Sequence, residues 1–422
     1  MLSQVLNLSY LVLFFRLGIT QAQHAYDGYS ITALIPWTDG HKNFDVTPHA
    51  RIRITTLDGS HNYPSSTGYY DFSVDTGTCG IVTTESKSGI TLAEKIEENR
   101  GWQYLSSSHT LYAGYWVERY ITFPRSTSGG VITPVKAKVK ILSVVKKYEN
   151  CDDWTEADED NCRDPGGREV VDTTISTIGI GYGRTYDGQK QGTPDKNPLL
   201  NLVSIGTNNL LTGFHPGWRI DEEGIKVGLT NTVWGGMWNF ERQLATIPGM
   251  PVPLPSVAGI NPHYPWPEVR GCVHFFPAMG FRNCVPVALL LDTGIDWSSI
   301  RVARDTARAV RISDDDHRLE DDQTASILAG LITISGPAQQ TLASFKYYDR
   351  VCGTPPTDCS ATPQRTEVTY DSARTNFVNT GRHVFRLWAQ GYDPWRGIIS
   401  FEEHRLTSTL CRVCPSSPGI PV

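Results

Sequence analysis

Positive charge is in short supply in this chain. Lys and Arg number 38 against 44 Asp and Glu, a net charge of −6, and charged residues make up only 19% of 422. Nothing supplies a basic face, which excludes a nucleic-acid binder on electrostatic grounds. Long apolar runs are missing too. The run Leu8 to Phe15 is too short to cross a bilayer, and no other stretch is long and apolar enough to do so. Followed by the small residues of Thr20-Gln21-Ala22, that run reads as the centre of a secretory signal over residues 1–22. Its amino-terminal flank carries no Lys or Arg and Arg16 follows the run, so an uncleaved anchor is the competing reading. The only Asn-X-Ser/Thr site, Asn7-Leu8-Ser9, lies inside this signal.

Metal and phosphate signatures are lacking as well. Cys411-Arg-Val-Cys414 has no second ligand pair near it, which argues against zinc. The acid-rich stretch from Cys151 to Cys162 has neither calcium-loop spacing nor a central Gly, and reads as a solvated loop. Gly179 to Gly183 suggests a phosphate loop, but turn-forming sequence follows it instead of a helix start. No cofactor and no metal are expected. The cysteines fall into close-spaced pairs, Cys151 with Cys162, Cys272 with Cys284, Cys352 with Cys359 and Cys411 with Cys414, which suits local disulfides in an oxidising compartment. Cys79 is left over as a buried thiol.

What the chain does have is 38 Gly, 26 Pro and 10% aromatics, a composition of many short strands and turns. Its length exceeds what one hydrophobic core usually serves, so two lobes are expected. Two stretches stand out. Tyr70-Asp-Phe-Ser-Val-Asp75-Thr76-Gly77-Thr78 runs an apolar strand into an Asp-Thr-Gly turn, and Val285-Pro-Val-Ala-Leu-Leu-Leu291-Asp292-Thr293-Gly294 does so again, 292 − 75 = 217 residues later. Either copy alone is an ordinary turn, since Asp, Thr and Gly all favour turns. Two copies, each near the middle of its half, imply a duplicated lobe that brings two carboxylates together. Such a pair holds one proton between its members at mildly acidic pH, giving an acid and a base in one site.

The paired turns resemble those of the bilobal, pepsin-like aspartic peptidases. The resemblance extends over roughly residues 25 to 405. Thr177-Ile-Gly-Ile-Gly-Tyr-Gly183 looks like the apolar Gly segment that threads beside the first Asp turn in that family. Phe377-Val-Asn-Thr-Gly381 is the second lobe's weaker match, and Tyr392 to Phe401 resembles the closing hairpin. The resemblance implies a mainly β, double-lobed architecture with a central cleft and few short helices. It implies catalysis by Asp75 and Asp292, with Thr76 and Thr293 locking the turns, Gly77 and Gly294 admitting backbone N–H groups, and Thr78 bonding an outer carboxylate oxygen. At the matching place in the second turn stands Ile295, which has no hydroxyl. Losing that donor is expected to raise the proton affinity of Asp292.

Within this frame residues 23–240 form the first lobe, 241–410 the second, and 411–422 a tail. Ile52-Arg-Ile54 alternates as a strand, Val131 to Tyr148 is an edge-like strand interleaved with lysine, and a short helix is expected from Pro198. Gly224 to Thr230 reads as a strand closing the first lobe, and proline-dense Ile247 to Pro255 as a linker. Ser313 to Asp322 reads as an exposed loop and Ala325 to Ile334 as a buried helix or strand. Only 74 − 22 = 52 residues separate the signal from Asp75, too few for both a basic pro-segment and the first sheet, so no pro-segment is expected. The hairpin Trp102 to Val117 is the flap candidate, with Tyr104 before its small-residue tip as the residue offered to substrate.

The expected function is a secreted, extracellular and monomeric aspartic endopeptidase with an acidic optimum. By the family resemblance it would cut peptide or protein substrates beside large apolar residues, with no nucleic-acid partner and no membrane association after signal removal. The alternative is a catalytically silent pepsin-fold binding or inhibitor module. A carbohydrate-binding reading from 11 Trp and 18 Tyr finds no repeated aromatic spacing to support it.

Overall fold

The computed structural model describes residues 26–38, 44–59, 68–105, 107–124, 134–151, 162, 168–170, 174–181, 191–210, 212–234, 242–243, 269–274, 285–303, 331–335, 341–346, 366–371, 376–386, 388–394 and 398–403. The signal, the pairs Cys352/Cys359 and Cys411/Cys414, Cys284, the linker, the acidic loop at 313–322 and the tail lie outside these.

Alternation builds the sheets. In His49–Thr55, Ala50, Ile52 and Ile54 are fully buried while Arg51 and Arg53 face outward, the two-residue period of a half-buried strand. It belongs to a ten-stranded sheet whose longest members, Thr110–Phe123 and Val135–Glu149, pair antiparallel along almost their whole length. Inside that sheet, Ser176–Ile180 lies parallel to Tyr70–Asp75, placing Gly179 opposite Asp75, and antiparallel to Cys79–Thr84. The apolar Gly segment thus threads between the strands that enter and leave the first Asp turn. A seven-stranded sheet repeats the device. Phe377–Asn379 runs parallel to Val285–Leu290 and antiparallel to Ser298–Ala303.

The third sheet joins the halves. Its order is Ala33–Pro36, Gly224–Val227, Trp218–Asp221, Trp388–Asp393, Ile398–Glu403 and Arg242–Gln243. The strand expected to close the first lobe, Gly224–Val227, is therefore part of a shared sheet, two strands away from the closing hairpin. Trp218 and Tyr392 are cross-strand partners there and stack at 5.2 Å. One buried cluster runs from Ile52, Phe72 and Ile178 of the first sheet through Trp218 and Tyr392 to Leu289 and Val378 of the second. The fold is mainly β and bilobal, with few short helices among the described residues.

Two local expectations meet the structure differently. Cys151 and Cys162 are disulfide-bonded and Cys79 is a buried free thiol, pushed up to about 12 by burial. In place of a helix from Pro198 there is a single 3-10 turn at Pro194–Lys196. Asn201 Nδ2 donates to the Pro194 and Asn197 carbonyls, and the latter is the acceptor that a helix from Pro198 would offer to the Asn201 N–H.

One buried charge braces the first sheet. Arg119, 2% exposed, donates to the carbonyls of Ser88, Glu118 and Gly89 and grips both oxygens of Glu94 at 2.7 and 2.9 Å. The Arg119 hydrogen bonds outweigh partial burial and hold the Glu94 carboxyl down at about 2, against an ordinary 4.5. A carboxyl depressed on folding stabilises fully above its unfolded value and loses that contribution as pH falls through the folded one. Glu94→Gln is therefore expected to cost about 1–2 kcal/mol near neutral pH, allowing for solvent screening of a partly exposed group. The difference should shrink below about pH 4.5 and vanish near pH 2, which urea unfolding of both proteins across that range measures.

Candidate active site

Each Asp turn begins where a buried strand ends. Phe72 and Val74 anchor the first, and Leu289, Leu290 and Leu291 the second. Burial fixes the strands, and the turns project from them toward each other. Gly77 N donates to Asp75 Oδ1 at 2.6 Å and Gly294 N to Asp292 Oδ1 at 2.7 Å, so each turn folds back onto its own carboxylate.

The turns then lock together through their threonines. Thr76 Oγ1 accepts from Thr293 N at 2.9 Å and donates to the Leu291 carbonyl at 2.6 Å. Thr293 Oγ1 accepts from Thr76 N at 3.0 Å and donates to the Val74 carbonyl at 2.7 Å. Both side chains are buried, and the arrangement has near two-fold symmetry. A β-carbon on Gly77 would stand 2.4 to 2.6 Å from the Asp292 carboxylate atoms, and one on Gly294 would stand 2.6 to 2.8 Å from those of Asp75. Only glycine lets each carboxylate rest against the opposite turn. Asp75 and Asp292 consequently line one cavity of about 250 Å³.

The outer carboxylate contacts are unequal. Thr78 is buried, but its Oγ1, packed toward Gly179, has no hydrogen-bond partner among the described residues, so the bond to Asp75 implied by the resemblance is not made. At the second turn Ile295 offers no hydroxyl, yet Asp292 Oδ2 still accepts a hydrogen bond. It comes from Asn379 Nδ2 at 2.7 Å, and Asn379 Oδ1 accepts in turn from Gly381 N at 3.0 Å. That second bond fixes which end of the amide faces the aspartate. Asn379 is 2% exposed. Sequence reasoning placed it in the second apolar Gly segment without giving its side chain a role. The available signal was a polar residue two positions before that segment's Gly, in a chain whose second turn lacks a donor.

The hairpin Arg100–Leu105 with Thr110–Phe123 reaches over the cavity, to which it contributes Leu105, Ser107 and Ser108. Tyr104 is placed elsewhere. It is buried beside Trp102, Leu111 and Tyr148, and its Oη donates to the Cys151 carbonyl at 2.7 Å. Adjacent strand residues face opposite ways, so a cavity-facing Leu105 turns Tyr104 toward the disulfide.

Charged contacts hold the two halves around the site. The 3-10 helix Arg382–Arg386 follows the second Gly segment, and Arg382 donates to the Asp45 carbonyl at 2.9 Å while Arg386 pairs with Asp45 Oδ1 at 2.6 Å. Phe385 packs on Phe44 beneath them. Below the second aspartate, Tyr392 is buried and hydrogen-bonded to Gln390, and burial, together with the nearby Asp292 charge, pushes its phenol well above the usual range. The arrangement sets each carboxylate against the opposite turn's glycine, in one cavity that the hairpin helps to line.

Thr76→Val keeps the shape and removes one hydroxyl, leaving Thr293 N and the Leu291 carbonyl without that partner. The expected cost is about 2–4 kcal/mol of stability, read as a lower urea midpoint; a change within error would mean that the clasp is not what joins the turns.

No protein-family model and no curated protein sequence matches the chain. Among solved structures it is similar to the crystal structure of aspartic proteinase from Irpex lacteus, with 13% identity over 90% of this chain and 99% of that chain and a TM-score of 0.43. At that identity the likeness assigns no residue a role.

Proposed function

We propose that the protein is a secreted aspartic endopeptidase, working at acidic pH through a water activated between Asp75 and Asp292. What carries this reading is that each carboxylate rests against the glycine of the other's turn within one cavity. In the proposed mechanism the two carboxylates act as a pair, one protonated and one not. One accepts a proton from the water as it attacks the peptide carbonyl, while the other, protonated, donates to the carbonyl oxygen; the roles then exchange as the amine leaves. Gly77 N, Gly294 N and Asn379 Nδ2 orient the carboxylates by the bonds already described, and the hairpin tip covers the cavity. The secretory reading rests on the apolar run near residue 8 and on the disulfide of Cys151 and Cys162.

The second reading, a pepsin-fold binding module without catalysis, has one observation in its favour: no tyrosine lies among the described residues of the cavity wall. The variants Asp75→Asn and Asp292→Asn separate the two readings. Each is expected to lower kcat/KM on a denatured protein at acidic pH by more than about 10³-fold with stability retained. Wild-type protein that binds peptides but cuts none would establish the binding module instead.

Asn379 gives a finer test. Asn379→Leu removes the donor that orients Asp292 and is expected to lower kcat roughly ten- to a hundredfold with stability retained. An unchanged kcat would show that the amide only packs.

A further inference from the structure

Strand alternation decides what surrounds the candidate dyad. Phe72, Val74 and Ile178 point into the core, so Ser73 and Thr177 fall on the same face as Asp75. They are register partners on parallel strands: Ser73 Oγ donates its one hydrogen to the Ser176 carbonyl at 3.0 Å and so accepts from Thr177 Oγ1 at 3.2 Å. Thr177 Oγ1 keeps its lone pairs as acceptors beside the cavity. Thr78 lines the cavity too, with its Oγ1 turned toward Gly179 and shielded, and Ser107 and Ser108 line it from the hairpin. Leu105 and Ile295 are the two large apolar residues of the lining.

A large apolar side chain pressed against this wall would strip water from hydroxyls and return no hydrogen bond. An acidic side chain would meet the negative charge of the dyad. Among the described residues no acidic group other than the two aspartates lines the cavity to pair with Lys or Arg. We infer that the subsite walled by Ser73 and Thr177 takes a neutral hydrogen-bonding side chain, Ser, Thr, Asn or Gln, beside the scissile bond. This departs from the apolar preference that the family resemblance implies, and it rests on the proposed peptidase reading.

The test uses the full chain and a peptide set varied at the two positions flanking one scissile bond, assayed at acidic pH. Peptides with Ser, Thr, Asn or Gln at one of those positions are expected to show kcat/KM at least about tenfold above those with Leu or Phe. The pair Ser73→Ala with Thr177→Val, which removes both hydroxyls without adding bulk, should reverse that order, with Ser73→Ala alone as a milder variant should the pair not fold. Equal or better cleavage of the Leu and Phe peptides by the wild type, or an unaltered order in folded variants, overturns the inference and leaves the peptidase reading standing. If the wild type cuts no peptide, the peptidase reading fails. Calorimetric binding of the same peptides then decides the subsite: tighter binding of the hydroxyl and amide peptides sustains it, and tighter binding of the apolar ones overturns it.

Discussion

Two hydroxyls hold the site together. Thr76 and Thr293 each accept a hydrogen bond from the other turn and donate one to the other strand, four bonds in a dry interface between segments 217 residues apart. Everything else at the site depends on this contact. It sets the spacing at which each carboxylate meets the opposite glycine, and the two threading segments support it from behind by fixing the strands that enter and leave the turns. Buried hydroxyls with all partners present are worth keeping because the cost of losing one partner exceeds the net gain of making the bond.

The near-symmetry of the backbone does not extend to the chemistry. On the first side the residue after the turn keeps a hydroxyl that bonds nothing; on the second it is Ile295, and an amide from another strand serves the carboxylate instead. The same register that pairs Leu290 with Asn379 brings this amide within reach of Asp292. Each aspartate is held by its own turn's glycine N–H, and Asp292 is held also by its threading strand. The cavity above is polar on the Asp75 side for a related reason, since Ser73 and Thr177 stand where two-residue alternation presents side chains to the cleft.

Much of this was legible in the residues. The leucine run before Asp292, the alternation around Ile52 and the Thr177 to Gly183 segment speak through local pattern, which survives translation into strands and turns. The residues that pattern missed share a different origin. Tyr104 and Leu105 are neighbours in sequence, and only the register of the hairpin decides which of them faces the cavity. Asn379 acquires its partner through a parallel pairing with a strand nearly ninety residues away, which no window of sequence contains. The strand Gly224–Val227 reads as a lobe edge until its neighbours are known, and those neighbours include the Ala33–Pro36 strand from far upstream. Asn201 competes through its side chain for the Asn197 carbonyl that a helix from Pro198 would use.

The shared sheet also sets an order of events during synthesis. Its central pairing joins Trp218–Asp221 to Trp388–Asp393, and the hairpin that supplies the second of these is translated after every other described element. Tyr392 of that hairpin lies near the second aspartate, and Asp393 ties back to Tyr26 at the other end of the described chain and to His215 near its middle. A ribosome-bound chain can therefore complete its first lobe early, whereas the floor common to both aspartates is laid only once this hairpin emerges, so any hydrolytic competence arises late in translation.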